Sequence, residues 1–173
     1  DSSAPTSDDG RDGNSAGSTH TVADWPQPRL VLLVTGRQNG YIEPCGCTGL
    51  DNQKGGLSRR HSLIREFASR GWAVLPLDVG NQVRRFGRQA EIKFDTTVGA
   101  MHAMGYQAVR FGPHDLRQSI GELAAAVISD QNRQQMFVSC NVNVLGFAAK
   151  FKIVDIAGKK VGITAVLGRG EQA

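Results

Sequence analysis

Apolar and polar positions fall into alternating blocks from Arg29 onward. Leu30–Thr35 is a short continuous apolar run, which predicts a strand covered on both faces. Leu57–Arg70 reads as a helix, with Leu57, Ile64, Phe67 and Ala68 on one side and Gly71 as its stop. Trp72–Val79 is strand-like. Ala90, Phe94, Thr97, Met101 and Met104 recur at alternating spacings of four and three, the mark of a helical face, and that helix ends at Gly105. Tyr106–Phe111 predicts a strand, Leu116–Ser129 a helix and Met136–Val142 a further strand. Lys150–Ile156 and Lys160–Leu167 flank Ala157-Gly158-Lys159, which predicts a β-hairpin. The order β-α-β-α-β-α-β followed by a hairpin predicts an α/β layered domain with a mixed sheet.

In such a domain ligands gather at the carboxyl ends of the parallel strands. Those ends are Thr35–Gly40, Asp78–Asn81, Phe111–Asp115 and Ser139–Val142, and all four carry polar side chains.

Composition narrows the picture. The Gly/Ser-rich stretch before Thr21 holds no large apolar residue and predicts a disordered acidic tether over 1–28, closed by Trp25-Pro26-Gln27-Pro28. Residues 1–28 carry a net charge of −4 and the remaining 145 a net of +8, so the basic character belongs to the domain expected over 29–173. That excess favours anionic partners such as phosphate esters. Three cysteines are too few for a disulfide scaffold, and no apolar run approaches the roughly 20 residues of a membrane span. No signal sequence opens the chain, and no nucleic-acid-binding motif occurs in it.

Four segments carry candidate chemistry. Pro44-Cys45-Gly46-Cys47 places two thiols in a Gly/Pro loop; with Cys140, His61 or His114 they could hold a divalent metal, exchange disulfides, or simply pack in a tight turn. No Cys-x-x-Cys-His occurs, so no c-type haem attachment is expected. Gly55-Gly56-Leu57-Ser58-Arg59-Arg60 runs into a helix amino terminus, where N–H groups and two guanidinium groups would suit an anion, or merely a solvated turn. Arg84, Arg85 and Arg88 follow the second strand and fit either an anion site or an exposed charged face. His114, beside Asp115 at the end of the third strand, suits acid–base work or metal ligation, or plain polar surface.

In this order the strand-end motifs resemble the amino-terminal half of the 5′-nucleotidase branch of calcineurin-like metallophosphatases. That family reads Thr-Asn-Asp-x-His-Gly, Gly-Asp, Gly-Asn-His-Glu/Asp and a Ser-Ala-Asn-like element. Here stand Thr35-Gly36-Arg37-Gln38-Asn39-Gly40, Gly80-Asn81, Gly112-Pro113-His114-Asp115 and Ser139-Cys140-Asn141. The resemblance covers about residues 30–168 and implies a layered α/β sandwich of metallophosphatase type, of which this chain would supply the first half. Pro-Cys-Gly-Cys and Gly-Gly-Leu-Ser-Arg-Arg further resemble an extracytoplasmic subgroup associated with multihaem cytochromes c, which implies such a cytochrome as a partner and a periplasmic or cell-surface location.

The resemblance also implies two metal ions, but the ligand positions differ. Arg37 stands where the family has its first-loop Asp, Asn39 where it has His, Asn81 where it has the bridging Asp, and Pro113 where it has Asn. His114 and Asp115 match and are the catalytic candidates; Arg37, Asn39, Asn81, Asn141, Arg59 and Arg60 are the anion-binding candidates; Cys45, Cys47 and Cys140 are the metal-ligating candidates. The expectation is a degenerate module with a phosphate- or nucleotide-binding cleft and little or no hydrolysis of its own. The rivals are a thiol- or metal-binding accessory domain for an electron-transfer partner, and an active phosphoesterase completed by sequence beyond Ala173.

Overall fold

The protein is described by a computed structural model over residues 25–44, 55–128, 131–168 and 170. Most of the expected tether and both Cys45 and Cys47 lie outside the described residues. Strands β1 (Val31–Thr35), β2 (Val74–Asp78) and β3 (Ala108–Val109) form a parallel sheet in the order β1-β2-β3. Helix α1 (Leu57–Ser69) joins the first pair of strands and α2 (Arg88–Ala103) the second. A 3-10 turn (Asp115–Arg117), α3 (Ile120–Ile128) and α4 (Gln131–Gln134) follow. Strands β4 (Lys152–Ile156) and β5 (Lys159–Ile163) then pair as an antiparallel hairpin.

The α/β class and the element order match expectation, with differences of physical origin. The mixed sheet is divided: the hairpin forms a two-stranded sheet of its own beside the parallel one. The expected strand over 136–142 reduces to isolated parallel bridges, Val109 with Phe137 and Val138 with Ala149. The expected helix over 116–129 starts late, because Ser119 and Glu122 form a capping box. The Ser119 N–H donates to Glu122 Oε2 at 2.8 Å and the Glu122 N–H to Ser119 Oγ at 3.3 Å.

Pro76 stands in the central strand, where proline ordinarily removes a ladder donor. Its carbonyl accepts from the Gln107 N–H at 3.0 Å, and its missing donor faces the turn before β3 begins. The core sits between the sheet and α2 and α3: Phe94, Val98 and Met101 meet Leu123, Ala126 and Val127 over Val109, Phe111 and Phe137. Phe111 and Phe137 stack with ring centroids 4.5 Å apart. Each such side chain contributes about 1.5–3 kcal/mol by leaving water. Ala90, Phe94, Thr97 and Met101 are all buried as their spacing predicts, whereas Ala68 is exposed and α1 buries only Leu57 and Phe67 fully.

The expectation that β1 is covered on both faces is corrected. Its residues alternate, and Leu32 and Val34 remain 56% and 57% exposed. The helices cover the face that carries Asp78, Val109 and Phe111; nothing among the described residues closes over Leu32 and Val34.

Candidate functional site: the carboxyl ends of the parallel strands

The loops leaving β1, β2 and β3 converge at one end of the sheet. The first lies along the second through three backbone bonds: the N–H groups of Arg37, Asn39 and Gly40 donate to the carbonyls of Gly80, Asn81 and Gln82 at 2.7–2.9 Å. The second presses on the third, since a Cβ on Gly80 would stand 2.4 Å from the Gly112 nitrogen and Gly80 itself has φ of 90°. Only glycine fits there. Arg37, Asn39 and Asn81 have φ of 54°, 54° and 62°. Asn tolerates this left-handed region; for Arg it costs roughly 1–2 kcal/mol. Such strain collects at functional sites.

Two carboxylates hold this end together from inside. Asp78, at the end of β2, accepts from Thr35 Oγ1 at 2.6 Å, the Gly80 N–H at 2.8 Å, Gln82 Nε2 at 2.9 Å and Arg60 Nη1 at 3.3 Å. Burial raises its pKa, and Thr35, the Gly80 amide and Arg60 oppose the rise. Asp115 is wholly buried; its Oδ2 accepts from the Asn81 and Gly112 N–H groups and its Oδ1 from the Val83 N–H, at 2.8–3.1 Å. Burial pushes Asp115 up to about 7 against the pull of those three amides, and the charge of Asp78 adds to the rise.

These placements sort the residues nominated from sequence. Asp115 is a tie between two loops, without the access to a ligand that its expected catalytic role requires. Arg60 points inward, donating to Gln38 Oε1 at 2.7 Å and pairing with Asp78, so its charge is already matched. Asn141 donates to and accepts from the Leu167 backbone, which engages both ends of its amide. Asn81 Oδ1 accepts from the His114 N–H at 3.0 Å. Arg59 lies exposed on the first turn of α1. Cys140 is an exposed free thiol.

What faces outward at the strand ends is therefore smaller than the nominated set. Arg37 is exposed, and its guanidinium makes no hydrogen bond or ion pair among the described residues. Asn39 is half-buried, and its amide makes no hydrogen bond among the described residues. His114 is half-buried, and its Nδ1 is shielded from solvent without a hydrogen-bond partner among the described residues. Sequence reasoning missed Asp78 as the hub, together with Gln38, Gln82 and Tyr106, whose hydroxyl lies 3.0 Å from Thr35 Oγ1. The available signal was an Asp ending the otherwise apolar strand Val74–Leu77, because a carboxylate there must find partners when the strand is buried.

The pair of metal ions implied by the resemblance does not fit these residues. Both strand-end carboxylates are buried and saturated with donors, and Arg37 brings a cation. No group of three or more His, Cys, Asp or Glu side chains among the described residues is placed to hold a metal. Beside the strand ends, a cleft of about 560 Å³ opens between Asn39–Tyr41 and the Val83–Lys93 segment, and it includes none of Arg37, Asn81 or His114.

Over 147 residues the chain is 30% identical to a snake venom 5′-nucleotidase of Gloydius brevicauda and 29% identical to one of Crotalus adamanteus. Each match takes in 78% of this chain and 24% of the relative, so the chain spans about a quarter of the length of those relatives. In fold it matches a 5′-nucleotidase precursor from Thermus thermophilus at a TM-score of 0.64 and 26% identity, over 79% of this chain and 28% of that one. An NAD nucleotidase from Haemophilus influenzae shares the fold at a TM-score of 0.63, with 15% identity, over 83% of this chain and 27% of the other. No protein-family model matches the chain. The chain is a homologue of 5′-nucleotidases and carries the metallophosphatase-type α/β fold of their amino-terminal domain. No helix among the described residues is long and apolar enough to cross a membrane.

Proposed function

We propose that this chain is a nucleotidase-like module that binds a phosphate-bearing small molecule at the ends of β1–β3 and does not hydrolyse it by itself. The observation that carries the reading is Arg37. An exposed guanidinium on a backbone held at positive φ, without a partner among the described residues, stands at the mouth of the site, where the family resemblance implies a metal-binding carboxylate. A guanidinium presents its donors to phosphate oxygens bidentately, but it cannot generate hydroxide from water at neutral pH as a metal ion does. Asn39 on the same loop and His114 on the loop after β3 supply further polar contacts. The venom relatives are in keeping with an extracytoplasmic setting.

A second reading, an active phosphoesterase completed by further sequence, draws on the chain spanning only a quarter of its relatives. Against it, the substitutions at Arg37, Asn39 and Asn81 lie within this chain, and added sequence would not restore those groups. The test is paired. Inorganic phosphate should bind equally with and without a chelator, Arg37→Ala should weaken that binding at least fivefold, and AMP should release no phosphate above background with Mg²⁺, Mn²⁺ or Zn²⁺. Divalent-metal-dependent turnover of AMP would overturn the proposal.

A further inference from the structure

The cleft beside the strand ends has a chemistry of its own. Arg84 and Arg85 come from the loop after β2 and Lys93 from the second turn of α2; among the described residues no acidic one lines the cleft. The Lys93 side chain reaches across to the first loop, where a Cβ on Gly40 would stand 3.3 Å from its Cδ and 3.9 Å from its Nζ. Two aromatic rings share the cleft, Tyr41 at 56% exposure and Phe86 at 80%. A phenylalanine so exposed is unfavourable for an isolated domain unless something uses its ring. The amino end of α2 also opens here. Gly87 offers no capping side chain, so the positive end of a 16-residue helix adds to the field of the three cations.

We infer that this cleft is a binding site for a nucleoside diphosphate or triphosphate, distinct from the strand-end site, with phosphates on Arg84, Arg85 and Lys93 and the base against Phe86 and Tyr41. Three cations match the charge of a polyphosphate better than that of a single phosphate group. An exposed ring gains by stacking on a base, about 1–3 kcal/mol per base in comparable sites. The volume suits one nucleotide and falls within the usual range for small-molecule sites. Gln89 adds an amide that can meet a base edge or ribose hydroxyl. The inference does not depend on Arg37 or His114, neither of which lines the cleft.

Calorimetric titration with ADP in the presence of chelator tests it. The chain should bind ADP. Arg84→Ala with Arg85→Ala should weaken that binding at least tenfold, and Phe86→Ala at least threefold. All three side chains are exposed, so these variants should keep the parent's circular dichroism and melting temperature. In the Arg37→Ala background, which weakens inorganic phosphate binding at the strand-end site, ADP should still bind and Arg84→Ala with Arg85→Ala should still weaken it at least tenfold. Absence of ADP binding, or an affinity unchanged by the double substitution or by Phe86→Ala, would overturn the inference. So would an oligothymidylate decamer binding more tightly than ADP, since the site would then be a strand-binding surface. Loss of ADP binding in Arg37→Ala alone would overturn it while leaving the strand-end proposal standing.

Discussion

Asp115 accepts N–H groups from Asn81, Gly112 and Val83, and by doing so it fixes the loops after β2 and β3 to each other. The resemblance marked it as a catalytic candidate; its burial makes it a tie. Its titration exposes that role. With a folded pKa pushed up to about 7 from an ordinary 3.8, Asp115 keeps its proton in the folded chain over a range where the unfolded chain has released it. The stability this gives is complete below about pH 4 and is lost as the pH rises through 7. Asn at this position cannot titrate, and its NH₂ would face a backbone donor, leaving an unmet hydrogen bond worth about 1–3 kcal/mol. Urea unfolding of the parent and of Asp115→Asn should therefore show the parent more stable, by a margin that shrinks between pH 4 and 7. Asp78 titrates in both proteins and largely cancels. A margin that stays flat over that interval would remove the titrating role.

Elements were more legible than the contacts between them. The face Ala90, Phe94, Thr97 and Met101 of α2 is a periodic signal over about three turns, and the structure buries all four. Helix α1 was legible as a helix but not in its orientation, because what seats it is polar. Arg60 passes under the helix to Asp78 and Gln38 and lies 5.8 Å over the ring of Tyr106. In sequence, Arg59-Arg60 is simply a pair of cations; which one turns inward depends on a carboxylate in β2, eighteen residues away. The Ser119–Glu122 box was readable from its spacing and loses its signal only by sitting inside a longer apolar run. Met136–Val142 reads as a strand because its composition is right, yet only Phe137 and Val138 find bridge partners. At the site, the loops after β1, β2 and β3 were legible from topology, whereas the inward engagement of Asp115, Arg60 and Asn141 was not. Arg60 gives the element-scale prediction. The Arg60 and Asp78 side chains are 11% and 1% exposed, and removing one member of so buried a pair costs about 3–5 kcal/mol. Arg60→Ala should lower the melting temperature sharply, whereas Arg59→Ala, on the exposed turn, should change it little. Equal effects in the two variants would mean that Arg60 does not anchor the helix.

At the scale of the whole molecule, the sheet is open on one side at its outer strand β1. Leu32 and Val34 align in register with Leu75 and Leu77, so all four share the face turned away from α2 and α3. The second pair lies deeper in the sheet, while Leu32, Val34 and nearby Val79 are 56%, 57% and 47% exposed. β1 is also the edge strand. An apolar face that runs to an open edge gives two ways to associate, by burying side chains and by extending the ladder. The chain spans about a quarter of its nucleotidase relatives, so taken alone it presents a surface that nothing within its described residues satisfies. Sedimentation velocity should accordingly show self-association growing from micromolar to near-millimolar concentration. Leu32→Thr with Val34→Thr places β-branched side chains suited to a strand at both positions and replaces apolar surface by hydroxyls. That variant should remain monomeric over the same range with little change in melting temperature, because neither side chain belongs to the core. A parent chain that stays monomeric to the highest concentration would show that the open face does not drive association.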